Sequence, residues 1–296
     1  MTSATLIGDE LAARARALHF RAKGVVESLR SGLHKSAHHG ASMVFAEHRE
    51  YRPGDDPRRL DWRAYARSGK PVIRRFEQEA QLRAQLVQDR SASMNWNGFA
   101  GEGPTKREYA AVLLASIAHL LQGQGDAVGC RALHSHGGLK PSARRSQLLS
   151  ILRHLSDPAE GEETLSLHAS LASIASSTPR RSLLVIASDF LHVDEDLAGM
   201  PWNMLSAKGR EVIVFHVLHA DEVAPPSELS ARFFGLENEG ELEADMSRVG
   251  ERYRGAMNEF REQVQSRCAQ ASIRYVDARM DRSVSEVLAA GLWGAR

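Results

Sequence analysis

Residues 83–93 read Arg83-Ala84-Gln85-Leu86-Val87-Gln88-Asp89-Arg90-Ser91-Ala92-Ser93. A short strand-like run ends in a carboxylate, and two hydroxyls follow at alternate positions. From here the chain alternates strand and helix character. Strands are expected at 83–88, 127–133, 182–188, 212–218 and 273–276. Helices are expected at 106–122, 143–155, 165–176, 194–206, 247–270 and 283–293. Strand–helix alternation with apolar strands predicts a mainly parallel, Rossmann-like α/β sheet with helices on both faces. A hairpin at 232–243 (RFFGLENEGELE) interrupts it before the long helix.

Upstream of residue 82 the pattern differs. Residues 8–31 have Leu11, Leu18, Val25, Val26 and Leu29 near helical spacing, and Gly32 is expected to end that helix. His34, His38 and His39 follow; with no acidic or Cys ligand nearby they read as a loop rather than a metal cluster. Strand character returns at 42–51 and 71–79. Between these, Asp56 can cap a short helix with Pro57 at its first position, crowded by Arg58, Arg59, Arg63 and Arg67. Two domains are therefore expected, 1–81 and 82–296.

Composition bounds the functions. The 296 residues are 43% hydrophobic and 25% charged, as in ordinary globular proteins. The two cysteines, Cys130 and Cys268, lie outside any CxxC or Cys/His spacing, so a reducing cytoplasm fits better than a disulfide framework. No window reaches the roughly 18 apolar residues of a membrane helix, and the first twenty residues hold no signal-peptide run. The net charge of +1 hides an asymmetry: residues 1–80 carry 15 Lys/Arg against 10 Asp/Glu, and the remainder 23 against 27. That basic part could serve nucleic acid, but binders of nucleic acid concentrate their charge far more, and a solvated face is the better reading.

The chemistry centres on Asp89. In open α/β sheets ligands collect beyond the carboxyl ends of strands at the topological switch point. Asp89, Ser91 and Ser93 can offer three oxygens to a hard cation, and Mg²⁺, which keeps several waters, suits so sparse a site. Further ligands would come from neighbouring strand ends, and Thr164 and Asp189 are placed to supply them. An enzyme reading competes, since an Asp after an apolar strand also resembles the nucleophile loop of haloacid dehalogenase-type phosphatases. That chemistry needs a second Asp two residues on to protonate the leaving group, and Ser91 stands there. The chain has no GxxxxGK[ST] phosphate loop and no HExxH.

Asp89-x-Ser91-x-Ser93 with Thr164 and Asp189 resembles the metal-ion-dependent adhesion site of von Willebrand factor A domains. Two departures stand out. Thr164 lies in GEET rather than Gly-Gly-Thr, so that Ser166 could substitute, and Phe190 follows Asp189 where many A domains have Gly. A longer run, Phe45 to Asp56 and Asp61 to Arg67, resembles a bacterial family of uncharacterised proteins encoded beside MoxR-type AAA+ ATPases. With Glu237–Gly240 the resemblance spans most of residues 10–292. It implies a von Willebrand factor A-type fold with an N-terminal helix and β-hairpin insertion. It also implies a non-enzymatic, divalent-metal-dependent protein–protein interaction module, with Mg²⁺, Ca²⁺ or Mn²⁺ at the site. Such a module would act as an adaptor with a MoxR-type ATPase in assembling or activating a client protein. Arg49, Tyr51, Asp55, Asp56, Arg58, Arg59, Asp61, Trp62 and Arg63 form its signature, and they admit two roles. They could contact a partner, or Asp61 and the arginines could form a buried ion-pair knot; the knot is favoured because Arg–carboxylate forks are specific fasteners.

Overall fold

The computed structural model describes residues 3–35, 48–51, 62–74, 81–135, 137–158, 165–191, 197–226, 230–234 and 241–293. Two compact units divide the chain: residues 32–81 form one, and residues 1–31 with 82–296 form the other. The smaller unit contains an antiparallel pair, β1 (His48–Glu50) and β2 (Val72–Arg74), and the helix α2 (Trp62–Ser68).

The larger unit is a mixed α/β fold around a six-stranded, mostly parallel sheet. Its strands are β3 (Arg83–Gln88), β4 (Ala127–Ala132), β5 (Leu139–Ser142), β6 (Leu183–Ser188), β7 (Glu211–Leu218) and β10 (Arg274–Arg279), in the order β10-β7-β6-β3-β4-β5. Only β5 runs antiparallel, at the edge beside β4. The chain leaves β3 towards β4 and later returns to its other side as β6, so the switch point lies between β3 and β6. A separate pair, β8 (Ser230–Phe234) and β9 (Glu241–Asp245), is the expected hairpin.

Alternation along each strand explains the two layers. Leu86, Val185 and Phe215 point into one core with α1 (Ser3–Lys35), α3 (Lys106–Gly123), α4 (Ser146–Ser156) and α9 (Val284–Trp293). Val87, Ile186 and Val214 point into the other, with α5 (Leu167–Ser177), α6 (Trp202–Ser206) and α8 (Met246–Gln270). A strand buried on both faces has no polar side to show, which is why β6 and β7 read as continuous apolar runs. From α1, Ala15, Leu18, Ala22 and Leu29 join the first core.

Local differences have local causes. The expected helix 194–206 is a 3-10 turn at Leu197–Gly199 followed by α6, because Pro201 cannot continue a helix from its N-terminal side. Helix α1 runs through Gly32 to Lys35, so His34 is helical; His38 and His39 lie outside the described residues. Edge strand β5 and the one-turn helix α7 (Ala220–Val223) were not anticipated: β5 is four residues long with a proline in it.

Candidate functional site

Strand β3 delivers Asp89 to the switch point, and the backbone N–H of Asp89 continues the ladder by donating to Ala187 O at 2.9 Å. The Asp89 carboxylate is 0% exposed. Its Oδ1 accepts the Ser91 N–H at 2.9 Å, a short Asp turn, and its Oδ2 accepts the Ser188 hydroxyl. This turn aims both following hydroxyls inward: Ser91 Oγ and Ser93 Oγ lie 3.0 Å apart and buried.

Strand β6 ends one residue before Asp189, which is fully buried. Asp189 Oδ1 accepts the Leu191 N–H at 3.1 Å, and Ser93 donates a further hydrogen bond to the carboxylate. Phe190 takes the left-handed conformation, φ 53°, that glycine adopts without cost. Its ring offsets that strain, buried 5.5 Å from the Trp202 ring and 6.0 Å from His216. The departure from glycine at this position is thus absorbed by packing.

The decisive residue is one the sequence did not flag. Lys106, the first residue of α3, is 0% exposed. Its ammonium donates to Asp189 Oδ2 at 2.6 Å and to Glu222 Oε1. A capping box sets its backbone: Thr105 Oγ1 accepts the Glu108 N–H and Glu108 Oε2 accepts the Thr105 N–H, both at 3.2 Å. Glu222 is held in turn through Oε2, which accepts the His219 N–H at 2.8 Å. One ammonium therefore ties the start of α3 to the residue after β6 and to α7, which follows β7.

The charges sort themselves around it. Burial works against the Lys106 ammonium, but Asp189 and Glu222 outweigh it and hold the group above the usual lysine value. Burial also works against the Asp189 carboxylate, and there the Lys106 charge prevails and keeps it below the usual range. At Glu222 burial prevails and raises the carboxyl, with the Asp189 charge adding to it. Two acids share one cation, and Asp189 keeps the negative charge more firmly. Behind them His216 is pushed down to about 4 by burial. As a neutral ring it donates Nε2–H to the Asp189 carbonyl and accepts the Tyr275 hydroxyl at Nδ1, both at 3.0 Å.

Four of the expected ligands, Asp89, Ser91, Ser93 and Asp189, come together. Thr164 lies outside the described residues, and Ser166 caps α5, accepting the Ala169 N–H at 3.2 Å. Of the signature residues, Arg49 pairs with Ile73 across the β1–β2 ladder and Tyr51 donates its N–H to Pro71 O at 2.9 Å. Asp55, Asp56, Arg58, Arg59 and Asp61 lie outside the described residues, and the backbone of Arg63 is in α2. Trp62, at the start of α2, is 63% exposed, and Tyr65 is 43% exposed with the two rings edge to face at 6.3 Å.

A divalent ion was the expected occupant, and the described residues do not fit one. The Ser91–Ser93 spacing would suit adjacent ligands of a hard cation. The Asp189 carboxylate does not: its charge is already met by the Lys106 ammonium at 2.6 Å. A dication in contact with Asp189 would sit roughly 5 Å from that ammonium. Their repulsion would be on the order of 7 kcal/mol at an effective dielectric of about 20.

Comparison with known proteins finds relatives described as uncharacterized. The chain is similar to uncharacterized proteins of Mycobacterium bovis and of two strains of Mycobacterium tuberculosis, each 29% identical over 221 residues that cover 73% of this chain and 68% of theirs. No solved structure matches it. Residues 47–264, which contain both the signature stretch and the sheet's switch point, match the family described as "Protein of unknown function DUF58", and the chain belongs to that family.

Proposed function

We propose that the chain is a non-enzymatic protein–protein interaction module of von Willebrand factor A type, an adaptor that acts with a MoxR-type AAA+ ATPase in assembling or activating a client protein. The observation that carries this reading is the Trp62–Tyr65 pair. Two large aromatic rings stand exposed, three residues apart on one helix, within the most distinctive stretch of the sequence. Exposed aromatics of this kind are the usual energetic centres of protein interfaces. Asp89 argues against the phosphatase alternative: a nucleophile must reach its substrate, and this carboxylate is fully buried with a donor on each oxygen.

The test is direct binding of the purified chain to a MoxR-type ATPase from the same genome. The double substitution Trp62→Ala/Tyr65→Ala is expected to weaken binding by at least about 30-fold, the equivalent of 2 kcal/mol. Absence of binding by the wild type at micromolar concentration, or equal affinity for the two forms, would sink the reading.

A further inference from the structure

We infer that the Lys106 ammonium, held by Asp189 and Glu222, is the resident cation beside the Asp89–Ser91–Ser93 loop, and that this chain holds its loop ends together without a divalent metal. An ammonium with no exposure has no water to solvate it, so it persists only where carboxylates surround it. Lys106 meets that condition twice over, through Asp189 and Glu222. Asp189 follows β6 and Glu222 lies in α7 beyond β7, so the lysine takes the bridging place a bound metal would otherwise take.

Independent contacts brace the same junction. The Phe99 N–H donates to Asp221 Oδ2 at 3.1 Å, and the Trp96 ring stands edge to face with His219 at 5.1 Å. Gly98, at φ 91°, passes so near that an added Cβ would fall 2.5 Å from His219 Cε1. The loop after β3 is therefore already locked onto the segment after β7, where Glu222 meets the buried lysine. A tethered cation also has an entropic advantage over a free ion, because folding itself delivers it to the site.

Replacing Lys106 by methionine keeps most of the side-chain volume but removes the charge. Asp189 and Glu222 are then left buried and facing one another, beside the two serine hydroxyls. That is an oxygen-rich, negatively charged set of the kind hard dications take. The substitution should make the protein dependent on a divalent ion.

The experiment uses the full chain as wild type, Lys106→Met and Lys106→Met/Glu222→Gln, with Mn²⁺ as the probe. Calorimetry reads affinity, and thermal melts with Mn²⁺ or with EDTA read dependence. Wild type should show no saturable Mn²⁺ binding and the same Tm in EDTA as in Mn²⁺. Lys106→Met should bind Mn²⁺ at least ~10-fold more tightly than wild type and melt lower in EDTA, and the double variant should lose most of that gain. The inference is overturned if wild type binds Mn²⁺ saturably and loses that binding in Ser91→Ala, or if EDTA lowers its Tm. It is equally overturned if Lys106→Met folds and gains no affinity. Should Lys106→Met not fold in either medium, the wild-type arms decide alone. No partner enters these readouts, so they stand or fall apart from the adaptor reading.

Discussion

Asp189→Asn tests the electrostatic reading of the site. The change keeps the shape of the side chain and removes its charge. Asp189 is fully buried and accepts from the Lys106 ammonium at Oδ2 and from the Leu191 N–H at Oδ1. An asparagine cannot serve both, because its NH₂ must face one of these two donors. Removing one partner of a buried ion pair costs about 3–5 kcal/mol. Glu222 remains against the ammonium and takes up part of the deficit, so about 3 kcal/mol is expected. Urea titration of the full chain, followed by tryptophan fluorescence, reads it: with an m-value of about 2 kcal/mol/M, the midpoint should fall by about 1.5 M. The pH dependence has a definite sign. Lys106 depresses the folded-state pKa of Asp189, so that group contributes stability above its unfolded value of about 3.9 and loses it as pH falls through the lower folded value. Wild type and variant should therefore differ by a constant amount near neutrality and converge in acid below about pH 4. A double-mutant cycle with Lys106→Met should show strong coupling, since each substitution removes the other's partner. A loss below about 1 kcal/mol, or additive effects in the cycle, would refute the buried pair.

Other positions make independent predictions. Gly98→Ala forces a side chain into positive φ and against His219, and should cost about 2 kcal/mol or more in thermal denaturation; a loss near zero would mean the loop is not clamped there. Burial raises the thiols of Cys130 and Cys268 to about 12. Neither should react with a thiol reagent until the protein unfolds, and rapid labelling of the native chain would contradict the burial. Backbone amides of β6 and β7, central in the sheet and covered on both faces, should exchange with solvent most slowly, whereas fast exchange there would contradict the topology.

How far the sequence reached depended on how local each signal was. Strand β3 was legible to the residue, because the strand-like run Arg83–Gln88 gives way at Asp89 to the loop pattern Asp-x-Ser-x-Ser. Helix α3 begins where expected, because Thr105 and Glu108 cap it within a single turn, and it runs one residue further at its C-terminal end. The serine and aspartate cluster was legible as well, since the ends of adjacent parallel strands must lie side by side at a switch point. Where the reading failed, a proline or a short edge had weakened the pattern, as at Pro201 and in β5.

Lys106 marks the boundary between the two kinds of information. In the sequence it is a lysine opening a helix, a position where solvent exposure is the ordinary outcome. Only the fold brings it to Asp189, 83 residues on, and to Glu222, 116 residues on. By itself the sequence determined the elements, their alternation and the residues at the strand ends, because propensity, capping and apolar periodicity act over a few residues. The tertiary structure decided which charge meets which, because desolvation and Coulomb attraction depend on distance in space, and those distances exist only once the sheet has closed its strand ends around the lysine.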